Sequence, residues 1–290
     1  MRTSFSVVRV RNGVPFGQDP SCELSTTREQ GAVRDRATGT DGLRPVKSAA
    51  RTLDVLEILA AGARSFGELS RDLGIPKSSL HGILATMEDR GWVEQAPEGR
   101  VRLGLRALQV GSAYLEADEA VVRTAGLLDR LAAVTEETVQ LARLDGASVV
   151  YLAQRASTHP VRLVSAVGSR LPAHATALGK ALLAVRDLEG IRRRLSFPLE
   201  ALTSHTLTHW DQLRVELELI RDRGYAVDQE EALEGLYCFA VTLPGTRPSL
   251  DGVSVSVPTF RLSPARERVV LDALREAQDA WSVGRTQRRG

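Results

Sequence analysis

The feature that most constrains this chain is a glycine-punctuated stretch from Ser65 to Leu103. Ser65-Phe66-Gly67-Glu68 has the spacing of a capping box, in which Ser65 caps a helix and Glu68 reaches back to it. That helix runs through Leu73 and stops at Gly74, the place for a C-terminal glycine. Ile75-Pro76 restarts the chain, with Pro76 suited to the first turn of the next helix. Leu80, Ile83, Leu84 and Met87 then predict a helix from about Lys77 to Arg90. Gly91 ends it. Trp92-Val93-Glu94 and Val101-Arg102-Leu103 flank Pro97-Glu98-Gly99 as the strands of a β-hairpin. Upstream, Ala49, Leu53, Leu56 and Leu59 predict one more amphipathic helix, from about Lys47 to Ala60.

Three short helices, a tight glycine turn and a hairpin make a winged helix-turn-helix over residues 44–103. The second helix of such a pair can lie in the major groove of DNA. Opposite its apolar stripe, the third helix carries Lys77, Ser78, Ser79, His81, Gly82 and Thr86, which are short, polar or both. This face, with Arg100 and Arg102 on the wing, favours DNA binding over a unit that only packs or dimerises. Lys77, Ser78, Ser79 and His81 are expected in the groove. Arg100 and Arg102, with Arg51, are expected on phosphate.

Bulk charge does not make this argument. The chain has 38 Lys and Arg against 36 Asp and Glu, and residues 44–103 carry nine basic side chains against eight acidic. That excludes a polybasic tail protein but leaves a local basic face open. Thirteen aromatic residues are few for a single-strand binder that stacks bases on aromatic platforms. Cys22 and Cys238 lie far apart, which argues against a disulfide framework and makes no metal-ligand spacing. No apolar run approaches the roughly 18 residues of a membrane span. Arg9 and Arg11 interrupt what would be the core of a signal peptide. The expectation is a cytoplasmic protein with no membrane association.

A length of 290 residues suggests about two domains. Residues 1–43 hold no lasting pattern and read as a disordered extension, with a regulatory arm as the alternative. Residues 104–119 read as a linker helix with a stripe of Leu105, Leu108, Ser112 and Leu115. Gly111, Ser112 and Ala113 are small enough there for a dimer contact. Residues 120–290 form the second domain. Thr138–Leu144 and Ser148–Gln154 flank Asp145-Gly146, a strong hairpin signal. Strands near Val161–Ser165, Tyr225–Gln229, Tyr237–Leu243 and Gly252–Val257 alternate with helices. The pattern is α+β, a mostly antiparallel sheet with helices packed on it.

Catalytic, metal and cofactor motifs are missing from this half. His174 and Lys180 have no orienting partner at a readable spacing. Ser254 and Ser256 share one face of a strand because they lie two apart, opposite Val253, Val255 and Val257. With Cys238 on a nearby strand they could line a small polar cup for a carboxylate. Polar residues on an open sheet face are the alternative.

Six stretches in order, SAARTLDVLEIL, FGELSRDLGIPKSSLHGILATMEDRGWVE, VRLGLRALQVG, GSRLPAHATALGKALLA, EEALEGLYCFAVTLPG and GVSVSVPTFRLS, resemble the isocitrate lyase regulator (IclR) family of bacterial transcription factors. The resemblance runs from about Val46 to the C-terminal helix. It implies a winged helix-turn-helix followed by a GAF-like effector domain, in homodimers or tetramers that repress or activate operons in response to small molecules. It implies an effector site at Ala177 and Leu178, before Gly179-Lys180, with Leu236, Cys238, Ser254 and Ser256. His174, Leu171 and Ala166 then lie on the covering loop, and Glu230 and Glu231 at an acidic strand end.

Two departures stand out. Gly82 replaces the arginine of many members, so their operator sequence does not transfer. Phe239-Ala-Val replaces a run of smaller residues, so the pocket and its ligand differ. The resulting expectation is a ligand-responsive regulator whose partners are double-stranded DNA with a near-palindromic operator, a small organic acid and a second copy of itself. The helix at 104–119 would carry the response. An enzyme acting on a small carboxylic acid and a ligand-free dimerising protein remain the alternatives.

Overall fold

The computed structural model describes residues 6–9, 46–164, 166–245 and 249–286. The extension read over 1–43 lies outside these residues except at Ser6–Arg9, a β-branched SVVR segment. It forms strand β1 and pairs with β7 (Val161–Val164), a departure from the expected disorder at those four positions. The chain divides into two compact units, with the boundary between Asp118 and Glu119.

The N-terminal unit is a winged helix-turn-helix. It contains α1 (Lys47–Ala60), β2 (Arg64–Ser65), α2 (Phe66–Leu73), α3 (Lys77–Asp89), β3 (Val93–Ala96), β4 (Arg100–Leu103) and α4 (Leu105–Ala117). The capping box is present: Glu68 N–H donates to Ser65 Oγ at 3.3 Å and Ser65 N–H donates to Glu68 Oε2 at 2.7 Å. Gly74 ends α2 in the left-handed conformation, φ 61°. The core joins Val55, Leu59, Leu69, Ile75, Leu80, Leu84, Met87, Val93 and Val101. The expected stripe of α1 needs correction at two positions. Ala49 is exposed, Leu53 is 60 % exposed, and Val55 and Leu59 are the buried residues of α1. The reason is that α2, α3 and the wing meet α1 on the face next to the one Leu53 occupies.

The wing is a three-stranded sheet in the order β2-β4-β3. Its hairpin turns through Glu98 and Gly99, both at positive φ. Gly104 closes the base. Its N–H donates to Trp92 O at 2.9 Å, and a Cβ at this position would sit 2.4 Å from Gly91 O. Backbone thus packs on backbone where α3, the wing and α4 converge. Gly104→Ala should destabilise the N-terminal unit by about 1–3 kcal/mol, read as a lowered denaturation midpoint of that unit in the full chain. An unchanged midpoint would show that this junction yields freely.

The C-terminal unit is α+β. An antiparallel six-stranded sheet runs in the order β8-β6-β5-β11-β10-β9. Its strands are β5 (Thr138–Asp145), β6 (Ser148–Arg155), β8 (Arg170–Pro172), β9 (Ala226–Gln229), β10 (Leu236–Thr242) and β11 (Asp251–Pro258). One face packs Val139, Leu141, Phe239, Val241, Val253, Val255 and Val257 against α5 (Glu119–Thr135) and α9 (Pro264–Thr286). The other packs Ala142, Val149, Tyr151, Ala226 and Ala240 under α6 (Ala177–Ala184) and α8 (Trp210–Arg223). The short α7 (Leu188–Arg194) adds Ile191 to that side. Alternation along β11 separates the two faces, so Ser254 and Ser256 point away from the valine core.

Candidate nucleic-acid interface and effector pocket

On α3, Leu80, Leu84 and Met87 are buried while Lys77, Ser78, Ser79, His81, Gly82, Ala85 and Thr86 are exposed. A Cβ added at Gly82 would meet nothing within 4 Å, so the helix surface is open there. The His81 ring lies edge-on to Phe66 at 6.5 Å, which restricts its orientation. Pro76 provides no side-chain cap, leaving the first turn of α3 without one. Arg51 is half-buried.

The two wing arginines have different settings. Arg100 donates to Ala63 O at 3.0 Å and to the capping carboxylate of Glu68 at 3.1 Å. The Glu68 carboxyl is held below its ordinary range, first by the Ser65 backbone N–H and then by the Ser65 hydroxyl, with Arg100 adding to it. Arg100 therefore ties the wing to the start of α2. Arg102 projects outward and pairs at 2.7 Å with Glu94, its exposed cross-strand neighbour.

In the C-terminal unit a pocket opens between the sheet and α6. It encloses about 350 Å³ including its mouth. The sheet supplies Gln140, Ser254, Cys238, Asp228 and Tyr151; Thr176, Ala177 and Leu178 roof it; Leu171, Ala232, Leu233 and Leu236 close the sides. Pairing makes the floor: Cys238 lies opposite both Ser256 and Asp228, and Ser254 opposite both Ala240 and Gln140. Ser254 and Ser256 each donate to Gln140 Oε1 at 3.3 Å, and Cys238 Sγ lies 3.1 Å from Ser256 Oγ. Thr176 caps α6 by accepting the Gly179 N–H at 3.0 Å. A Cβ at Gly179 would fall 2.1 Å from Ala173 O, so only glycine lets the roof helix lie this close to the preceding turn.

Of the expected effector residues, Ala177, Leu178, Leu171, Leu236, Cys238 and Ser254 line the pocket. Ser256 sits beside it, bonded to Cys238 and Gln140. His174 does not line it. It is buried beneath the roof and donates from Nε2 to Glu200 O at 2.8 Å, and burial lowers its pKa. The alanine-rich turn around it tucks into the core, so this stretch supports the roof instead of covering the mouth. Ala166 is exposed.

Sequence reasoning missed Asp228, Gln140 and Tyr151. Asp228 shares its strand face with Ala226, and Gln140 stands alone in the apolar run of β5; those two patterns were the available signal. Asp228 is only 1 % exposed, and its Oδ1 accepts the N–H of Glu231 at 2.7 Å and of Ala232 at 3.3 Å. Burial pushes its carboxyl up to about 7; the charge of Glu231 adds to this and Lys180 opposes it. Burial also raises Cys238 and Tyr151, keeping both neutral.

Lys180, 1 % exposed, does have a partner: Nζ donates to Glu231 Oε1, and Glu216 Oε1 lies at 3.5 Å. Arg223 holds Glu216 at 2.8 Å. Burial raises the Glu231 carboxyl against the pull of Lys180. Glu230 turns at positive φ, and its Oε2 accepts the Gly235 N–H at 2.6 Å. Among the described residues no group of three or more His, Cys, Asp or Glu could hold a metal ion. Among them no helix is long and apolar enough to cross a membrane.

A winged helix-turn-helix ahead of an α+β unit with a pocket beside its sheet defines a class, the two-domain DNA-binding regulators. The sequence matches the family model for the IclR helix-turn-helix domain over residues 48–97 and that for the bacterial transcriptional regulator IclR C-terminal domain over residues 112–283. The chain belongs to the IclR family of transcriptional regulators. It is 35 % identical to the HTH-type transcriptional regulator BhcR of Paracoccus denitrificans, over 90 % of this chain and 96 % of that protein. It is 33 % identical to the transcriptional repressor IclR of Escherichia coli, over 76 % and 83 %. In structure it resembles an IclR regulator from Alicyclobacillus acidocaldarius, with a TM-score of 0.74 and 25 % identity over 83 % of this chain and 99 % of that one. An IclR homologue from Microbacterium hydrocarbonoxydans shares the fold at a TM-score of 0.68 and 24 % identity, over 81 % and 99 %.

Two outcomes test the site's electrostatics. Lys180→Met should cost about 3–5 kcal/mol by stranding the Glu231 carboxylate, and Lys180→Met with Glu231→Leu should recover most of it; unfolding curves of both variants decide. Asp228 is an acid whose folded pKa is raised from 3.8 to about 7. The folded state then holds the extra proton, and stability falls as pH rises through that window. Asp228→Asn should be more stable than the parent above that window, with the gap narrowing as pH falls. A gap independent of pH would refute the assignment.

Proposed function

We propose that this protein is a ligand-responsive IclR-type regulator in which two winged units, brought together in a dimer or tetramer, bind a near-palindromic operator. The observation that carries the DNA part is the exposed, small-residue face of α3, set on a buried core and backed by family membership. Lys77, Ser78, Ser79 and His81 read the major groove, and Gly82 lets the helix approach closely. Arg102 meets phosphate from the wing and Arg51 from α1. Arg100 contributes mainly by holding the wing against α2, since its guanidinium is already engaged.

The C-terminal pocket takes a small organic acid. Hydroxyls and the N-terminus of α6 would receive a carboxylate without an arginine. The Microbacterium relative is described in complex with 4-hydroxybenzoate, which makes an aromatic carboxylate one natural probe. Self-association would use α4, whose Leu105, Leu108 and Tyr114 are exposed. The protein acts in the cytoplasm as a regulator, not as an enzyme, and needs no cofactor. Its relatives BhcR and IclR are regulators by name.

A competition gel shift tests the reading. The protein should prefer the DNA upstream of its own gene over random sequence, with binding that weakens as salt rises. Arg102→Ala should weaken binding on all sequences and lower the salt slope by about 1, whereas Ser78→Ala should cost about 1–3 kcal/mol at particular base positions. Equal binding to upstream and random DNA would sink the proposal.

A further inference from the structure

The pocket floor carries an acid that the effector reading leaves without a task. Asp228 faces the cavity from β9, and its Oδ1 is occupied by the N–H groups of Glu231 and Ala232. No lysine or arginine lines this pocket. The groups that face Asp228 or act on it are few. From β10, directly opposite, comes the Cys238 thiol, hydrogen-bonded to Asp228, and from β6 the Tyr151 hydroxyl, both kept neutral by burial. The connection after β9 brings Glu231, whose charge works against ionised Asp228. Lys180 from α6 works for it, but that ammonium is bound to Glu231 and also meets Glu216 from α8. Beneath the roof, His174 is held neutral and bonded to Glu200 O.

An organic anion entering this space would set its carboxylate beside a second carboxyl with no cation free to separate them. Two carboxylates in one enclosed site cannot both stay ionised, and they hold a proton between them. We infer that the pocket takes up its small carboxylic acid together with one proton, Asp228 donating a hydrogen bond from Oδ2 to the bound carboxylate, so that effector binding responds to pH. The proton comes from solvent and returns to it when the ligand leaves. This rests on the effector reading above and adds a regulator to it. Burial has already raised the Asp228 carboxyl to about 7, so near neutral pH the site stands half loaded, and a bound anion draws the proton in further. Above that value each pH unit should weaken binding about tenfold.

The test is calorimetric titration of the full-length protein with glyoxylate, pyruvate and 4-hydroxybenzoate in turn. Runs from about pH 6 to about pH 8.5, in buffers of different ionisation enthalpy, count the protons taken up. The expected result is uptake approaching one proton per ligand at the alkaline end, with affinity falling as pH rises. Asp228→Asn, neutral at every pH and with an N–H to donate, should bind with a flat pH profile and no uptake. Binding by the parent with neither uptake nor pH dependence overturns the inference alone, as does the same slope in D228N. Failure of all three acids to bind at any pH overturns the small-acid reading, and this inference with it.

Discussion

The pocket half of the C-terminal unit depends on one buried ammonium. Lys180 is fully buried at 1 % exposure, and an unpaired charge in that position would be untenable. Its contacts with Glu231 and Glu216 draw together α6, the connection between β9 and β10, and α8. Ala177 and Leu178, which roof the pocket, lie within one turn of Lys180, and Ala232 and Leu233, which close its side, follow Glu231 directly. Thr203 Oγ1 donates to Glu230 O at 2.7 Å and Thr206 Oγ1 to Glu231 O at 2.6 Å, so the connection is pinned along its backbone too. The ion pair does little for net stability by itself. What it does is fix the position of two pocket walls relative to one sheet.

Much of this was legible along the chain, for definite reasons. The capping box, the αL glycine at 74 and the restart at Pro76 are local signals, and they specify α2 and α3 without help from distant contacts. Alternation in β11 alone put the valines on one face and Ser254 with Ser256 on the other. Failures came where a neighbour decides the outcome. Leu53 sits at helical spacing with Leu56 but lies outside the face that the wing and the other helices cover. Asp228 reads as one more polar residue near a strand end until pairing sets it opposite Cys238. Lys180 seemed to lack a partner because Glu231 is fifty-one residues away. The short β8 and α7 are too brief to carry a period at all.

The resemblance to a family and the bare residue pattern agreed on the pocket, and each added something different. The family pattern gave Ala177, Leu178 and Leu236, which no alternation argument would select. The pattern gave the shared face of Ser254 and Ser256 independently. In the structure Gln140 Oε1 accepts from both serines and orients them, and Gln140 and Ser254 line one pocket with Ala177, Leu178 and Leu236. A polar residue inside an apolar strand is costly unless bonded, so Gln140 helps explain why this part of the sheet can be polar at all.

On the DNA side the near-balance of charge turns attention to how each arginine is already spent. An exposed ion pair is worth about 0–1 kcal/mol, so Arg102 can exchange Glu94 for a phosphate at little cost. Arg100 cannot do so on the same terms, because it serves Ala63 O and the Glu68 carboxylate that caps α2. Moving it would loosen the helix ahead of α3 just as the complex forms. The first turn of α3 is available in a way Arg100 is not. Pro76 supplies no side-chain cap there, and the positive end of the helix dipole then faces outward, where it favours phosphate.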